Sequence, residues 1–238
     1  MHGRESPDRA RCAPDTPDGG PAWDFRFESK KRGAGRGAGW HGPAHDGNDE
    51  NTHRRVFMAR HGFGRGEYRY FAYPLPPLVA ALRSGLYPQL VPIANRWHER
   101  MGMAVRFPAE HAEFLARCHD AGQRRPTPLL LQYGAGDYNC LHQDLYGEHV
   151  FPLQVAVLLS APGEDFCGGE FVLTEQRPRM QSRADVVPLA KGDAVVFAVN
   201  VRPVKGARGE YRVAMRHGVS AIRSGRRHTL GVIFHDAA

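Results

Sequence analysis

The chain has 238 residues, room for one domain of ordinary size plus a tail, and its 42% hydrophobic content allows a real core. No apolar stretch approaches the length that spans a bilayer, and the polar, Gly/Pro-rich N-terminal region lacks the apolar segment of a secretion signal, so a cytoplasmic protein with no membrane partner is expected. The net charge of +7 is compatible with an anionic partner; residues 1–56 hold ten Lys/Arg against nine Asp/Glu, so nearly all of the excess lies beyond them.

Residues 1–55 read as a disordered Gly/Pro-rich tail, with mixed charge and no hydrophobic period. Within it, the basic Gly/Arg stretch at residues 30–39 suits nucleic acid, although a solvated tail is the simpler reading. Order is expected from about Val56. Between Pro76 and Met101 apolar residues recur at helical spacing (Leu78, Ala81, Leu82, Leu86, then Leu90, Ile93, Ala94, Trp97), and Pro88 and Pro92 predict a break into two helical pieces. A further helix is predicted over 108–121, with Pro108 at its start and Gly122 at its stop. Beyond Pro128, short runs rich in Val, Leu and Phe predict strands at 129–133, 151–161, 169–175, 184–190, 193–199, 213–222 and 227–235. The expected fold is therefore α+β: a helical part over 56–127 bracing a sandwich or jelly roll over 128–238. Cys12, Cys118, Cys140 and Cys167 match neither a zinc pair nor a disulfide framework and are expected as free thiols.

The chemistry begins at His142-Gln143-Asp144. Residues i and i+2 on an extended segment point to one side, so a histidine and a carboxylate placed this way can share a metal. With thirteen His and thirteen Asp in the chain, the triplet alone is weak evidence. A third ligand would complete the two-histidine, one-carboxylate set that holds iron(II) on one face and leaves the other open. The downstream candidates are His149, His217, His228 and His235. His217 lies in a strand-like run about 75 residues on, a distance that fits a late strand returning beside an early one. Ser224-Gly225 reads as a turn, and a hairpin pairing His217 with a residue near 231 would turn Arg227 inward beside it. A buried arginine beside a metal needs an anion, and its planar fork suits a carboxylate. A dicarboxylate that chelates iron at one end and meets arginine at the other is 2-oxoglutarate.

At this point the sequence resembles the iron(II)/2-oxoglutarate oxygenases of double-stranded β-helix fold, in particular their prolyl-4-hydroxylase-like branch. Tyr133, Gly134, Gly136 and Tyr138 leading to His142 and Asp144 look like that branch's lead-in. Gly168-Gly169-Glu170-Phe171 and Gly192-Asp193-Ala194-Val195-Val196-Phe197 are similar to two of its strand starts. His217-Gly218-Val219-Ser220, then Gly225, Arg227 and Leu230, are similar to its closing motif. The likeness spans residues 129–235. It implies an oxygenase domain over 56–238 with His142, Asp144 and His217 on iron(II), and Arg227, helped by Tyr133, on 2-oxoglutarate. With O2, such an enzyme hydroxylates a substrate C–H bond and releases succinate and CO2. Tyr138 stands four residues before His142 where the family more often has three, so packing is its simpler role.

Other residues carry two readings. His149 is a candidate for substrate contact or for support of a ligand; His228 should face away from the Arg227 side, and His235 reads as structural. Asp193 reads as a turn cap, and Tyr68, Tyr70, Phe71 and Tyr73 as core and rim or as the lining of a substrate groove. Arg177, Arg179 and Arg183, then Arg202, Lys205, Arg208 and Arg212, fall in loops where a basic rim would suit DNA or RNA phosphates; a solvated face explains them as well. The His-Gln-Asp triplet also resembles the demethylases of alkylated DNA or RNA, in which an oxidised N-methyl group leaves as formaldehyde. The substrate is therefore a protein side chain, a small molecule or an alkylated nucleic acid. A non-catalytic, cupin-like metal-binding module is the competing class, and the full ligand set with Arg227 argues against it.

Overall fold

The computed structural model describes residues 52–207 and 209–238. Cys12, the basic stretch at 30–39, nearly all of the expected tail and Arg208 lie outside the described residues. Order begins a little before Val56: β1 (Thr52–Phe57) runs into a 3-10 turn (Met58–His61), β2 (Gly64–Arg65) and β3 (Glu67–Phe71). The segment expected to be helical thus opens with three strands. Val56 is buried and Arg54 and Arg55 are exposed, and β1 is held by pairing with β3 more than by apolar burial, which hides it from a hydrophobic pattern.

Two helices follow, α1 (Pro77–Arg100) and α2 (His111–Asp120). Contrary to the expected break, α1 runs unbroken through Pro88 and Pro92. Both prolines lie on its exposed face, four residues apart, so the carbonyls that lose a partner turn to water. The opposite face buries Val79, Arg83, Tyr87, Leu90, Val91, Ala94 and His98, and this packing holds the helix through the gap.

The remaining strands are β4 (Leu129–Tyr133), β5 (Tyr138–His142), β6 (Leu153–Leu158), β7 (Phe166–Gly168), β8 (Phe171–Gln176), β9 (Ser182–Val187), β10 (Ala194–Ala198), β11 (Val201–Gly206), β12 (Gly209–Val219), β13 (Ile222–Gly225) and β14 (Arg227–Val232). One sheet has the order β1-β3-β4-β14-β6-β10; the other runs β2-β5-β12-β8-β9, with β11 also on β12, and β13 pairs β7. The named strands of the described residues all pair antiparallel, and the chain passes repeatedly from one sheet to the other, which makes the double-stranded β-helix.

The helices pack on the outer face of the first sheet. There Tyr87, Phe114, Phe151 and Phe234 form one aromatic cluster with Leu153, Val155, Leu230 and Val232. A buried ion pair fastens the same layer: Arg83 meets Asp236 Oδ1 at 2.7 Å and also donates to the Ile233 carbonyl and the Tyr73 hydroxyl. A second core, around Phe171, Phe197, Leu158 and Tyr133, lies between the sheets and borders the site.

Candidate metal centre and cosubstrate pocket

His142 ends β5, and His217 stands directly opposite it on β12. The strands approach closely because residue 218 is glycine: a Cβ there would lie 2.7 Å from the Asn139 carbonyl oxygen. Asp144 follows His142 by two residues, as the same-side argument requires. Its Oδ1 is 3.6 Å from His142 Nε2 and its Oδ2 3.3 Å from His217 Nε2. All three ligand atoms lie within 4.8 Å of one another, and no other group of three His, Cys, Asp or Glu among the described residues does this.

The surrounding bonds prepare these atoms. His142 Nδ1 is 2.7 Å from the Cys140 carbonyl oxygen, so it carries the proton and leaves the Nε2 lone pair for a ligand. Tyr146 donates to Asp144 Oδ1 at 2.7 Å. The phenol thereby occupies one carboxylate oxygen and leaves Oδ2 toward His217. Burial alone would raise the Asp144 carboxyl; the His217 hydrogen bond, the two imidazoles and the Tyr146 hydroxyl outweigh it and hold the group below the usual carboxylate range. Burial, with the neighbouring His217, lowers the His142 imidazole and favours its neutral, ligating form.

The three donors line a cavity of about 200 Å³ together with Arg227, Tyr133, Gln154, Phe197 and Thr229. Arg227 is 1% exposed, yet no carboxylate among the described residues meets it. One guanidinium nitrogen donates to Thr229 Oγ1 at 2.6 Å, Nε has no acceptor, and burial lowers its pKa. The guanidinium sits 5.7 Å from the Tyr133 ring centroid and 5.9 Å from that of Phe166. Gly169 makes room for it: a Cβ at 169 would lie 3.0 Å from Arg227 Cδ. Such a cation, at its most costly when unpaired, fits a ligand carboxylate. Two imidazoles, one carboxylate and an unsatisfied arginine in one cavity therefore suit iron(II) and 2-oxoglutarate.

The assumed hairpin between His217 and residue 231 does not form. β13 intervenes and pairs β7, while β14 joins the other sheet, so Arg227 pairs with Tyr133 in register. His217 and Arg227 still share the cavity because they face it from opposite sheets.

The other candidates take supporting places. His149 is tied through its backbone to Gln123 and does not line the cavity; His228 is hydrogen-bonded to Ser160. His235 is fully buried and accepts the Phe151 amide. Asp193 caps its turn through the Ala190 amide at 2.9 Å. Tyr138 is exposed and outside the cavity lining, whereas Tyr68 lines it. Cys118, Cys140 and Cys167 are free. Three residues escaped the sequence reading. Tyr146 repeats the i+2 spacing past Asp144. Gln154 is the one polar residue between Phe151 and Leu159, and its Nε2 lies 3.3 Å from His217 Nε2. Asn139 donates to the Tyr133 hydroxyl at 3.2 Å.

A double-stranded β-helix enclosing this donor set is the scaffold of a non-haem iron(II), 2-oxoglutarate-dependent oxygenase, an oxidoreductase that works with Fe(II), 2-oxoglutarate and O2. The chain belongs to the Oxygenase-NA family, whose model matches residues 66–237 and is described as an oxygenase catalysing oxidative methylation of damaged DNA. Two uncharacterised proteins from strains of Mycobacterium tuberculosis, MT2286 and Rv2227, are each 51% identical over 168 residues, covering 71% of this chain and 72% of theirs. Among solved structures, an oxidoreductase of the 2OG-Fe(II) oxygenase family from Burkholderia pseudomallei is 21% identical over 47% of this chain and 44% of its own (TM-score 0.33). A Pseudomonas putida prolyl-4-hydroxylase is 14% identical over 73% of each chain (TM-score 0.41). No helix among the described residues is long and apolar enough to cross a membrane.

Proposed function

We propose that this oxygenase hydroxylates a substrate C–H bond with release of succinate and CO2, and that the carbon attacked is an N-alkyl group on a damaged DNA base. The observation that carries the cosubstrate assignment is Arg227, a buried guanidinium without a carboxylate among the described residues, lining the same cavity as His142, Asp144 and His217. In this reading His142 Nε2, His217 Nε2 and Asp144 hold the iron, and Arg227 takes the distal carboxylate of 2-oxoglutarate, with the Tyr133 hydroxyl as a second donor. Iron(II) and 2-oxoglutarate, when bound, activate O2 so that one oxygen atom ends in succinate and the other in the substrate hydroxyl. Tyr146 fixes the carboxylate, and Phe171 and Phe197 shield His217 from water.

The description of the family supports DNA as the substrate. Insertion of oxygen into an N–CH3 group gives N–CH2–OH. This expels formaldehyde and returns N–H, so the chemistry open to such a site on a methylated base is removal of the methyl group. Hydroxylation of a protein side chain or a small molecule uses the same machinery up to the hydroxyl.

The test is anaerobic titration with iron(II) and 2-oxoglutarate, followed by the visible charge-transfer band of the ternary complex. The band should appear in the wild type, vanish in Asp144→Ala and weaken in Arg227→Ala. A folded, metal-loaded wild type without a band would remove the cosubstrate assignment. Incubation with an N-methylated oligonucleotide should then release formaldehyde and succinate in equal amounts; succinate without formaldehyde would turn the substrate away from N-methyl bases.

A further inference from the structure

We infer that the loop over residues 58–66 is the element that grips a DNA strand: Phe63, backed by His61, stacks on an unpaired base at the cavity mouth while Arg60 and Arg65 take flanking phosphates. The inference rests on the DNA reading above and names the surface that would serve it.

Phe63 lines the cavity and is also 47% exposed, so it stands at the opening. Its ring lies 5.4 Å from that of His61 at an interplanar angle of 23°, a preformed stack. Large apolar rings left open beside a cavity mark a contact surface. The loop that presents them is fixed. Met58 is buried in the inter-sheet core, its amide donates to the Gly66 carbonyl at 3.0 Å, and the Phe63 amide donates to the Met58 carbonyl at 3.2 Å. The Phe63 carbonyl in turn accepts the Cys140 amide at 2.9 Å, two residues before His142. The backbone of Phe63 is therefore fixed beside the strand that carries His142.

Most of the basic residues expected in loops lie in or beside the β8–β9 and β11–β12 hairpins and are already engaged, although Arg179 and Lys205 form no ion pair among the described residues. Arg177 and Arg202 both meet Glu175, Arg183 meets Asp185, and Arg212 donates to the Met101 carbonyl. Arg60 and Arg65 are exposed and form no ion pair among the described residues; Arg60 lies 5.0 Å from the Phe57 ring centroid. Cations without a carboxylate partner, one before and one after an exposed aromatic stack along the chain, match a single strand, whose bases offer π-faces between phosphates. A base must leave its stack to put an N-alkyl carbon into an enclosed site, and a platform at the mouth receives it.

The experiment is fluorescence anisotropy of the full chain with a labelled oligodeoxythymidylate of about 12 nucleotides, across a salt series. Phe63→Ala should weaken binding by about tenfold and Phe63→Trp should retain it. Arg60→Gln and Arg65→Gln should each reduce the slope of log affinity against log salt by about 0.7, while Arg183→Gln leaves it unchanged. A wild type that does not bind at low salt would end both the DNA reading and this inference. Binding that ignores the three loop variants would overturn this inference alone and leave the DNA reading standing. Competition by polyglutamate as effective as that by unlabelled oligonucleotide would overturn base stacking and favour an acidic protein substrate.

Discussion

Strands β6 and β14 present two different faces. Toward the helices they offer Leu153, Val155, Leu230 and Val232, which pack with Phe151, Tyr87 and Phe234. Toward the other sheet the alternate positions are Gln154, Ala156 and Leu158 on β6 and Arg227, Thr229 and Gly231 on β14, and all but Leu158 line the cavity. One face is filled with large apolar side chains, and its buried polar groups are answered from within the chain: His111 Nε2 lies 2.8 Å from the Phe234 carbonyl oxygen, and Arg83 meets Asp236. The other has small residues at Ala156 and Gly231 and holds polar side chains that each keep one atom without a partner. Of the four buried side-chain atoms lacking a hydrogen bond among the described residues, those of Gln154, His217 and Arg227 belong to cavity-lining residues, and the fourth is His235 Nε2. The same two strands thus hold the molecule together on one side and keep an unmet demand for ligand on the other.

Substitutions on the two faces should therefore separate stability from binding. The largest effect belongs to the packed face: Phe151→Ala should cost about 3–5 kcal/mol in urea unfolding and leave the 2-oxoglutarate affinity of the folded fraction unchanged. Arg227→Met should do the reverse. It should lose about 2–5 kcal/mol of 2-oxoglutarate affinity, by calorimetric titration, while leaving the melting temperature level or higher, since it removes an uncompensated buried charge. A marked fall in melting temperature would mean that the guanidinium supports the fold. Tyr146→Phe removes one hydrogen bond to Asp144 and should weaken iron(II) binding by about 10–100-fold in competition with a chelator, with folding little altered.

The smallest effect is on acid stability. Burial, with Arg83 nearby, pushes the His111 imidazole down to about 4, whereas an unfolded chain takes the proton near 6.5. Between those values the unfolded state binds more protons, so stability is complete above about pH 6.5. It falls as the pH drops toward 4, by up to ~1.4 kcal/mol per pH unit from this one group. Denaturation midpoints at pH 7 and pH 5 should differ by less in His111→Phe than in the wild type.

Legibility in the sequence followed the same division. The first predicted strand coincides with β4, and parts of the other six runs became β6, β8, β9, β10, β12 and β14, because apolar runs between turn residues reflect burial. The strands that escaped, β1, β2, β3, β5, β7, β11 and β13, are short, polar or exposed for much of their length and owe their places to backbone pairing. His142, Asp144, His217, Arg227 and Tyr133 were all readable and all line one cavity. Their route to it was not: the hairpin expected from Ser224-Gly225 gave way to β13, because turn residues do not say which sheet the next strand joins. Tyr146 and Asn139 reach Asp144 and Tyr133 through one side-chain hydrogen bond each, and nothing in a one-dimensional pattern marks that.

The position of β14 has a consequence for how the molecule comes to be folded. It lies between β4 and β6 in the middle of its sheet, although it follows every other strand in the chain. As the chain leaves the ribosome, the edges of β4 and β6 that will receive it stay bare until it arrives, and bare strand edges invite pairing with other chains. The sheet closes only when a segment about a hundred residues downstream of β4 inserts, and such non-local pairing is the kind of contact that slows folding. Arg227 rides on that inserting strand, and the cavity gains its cation in the same step that removes the exposed edges.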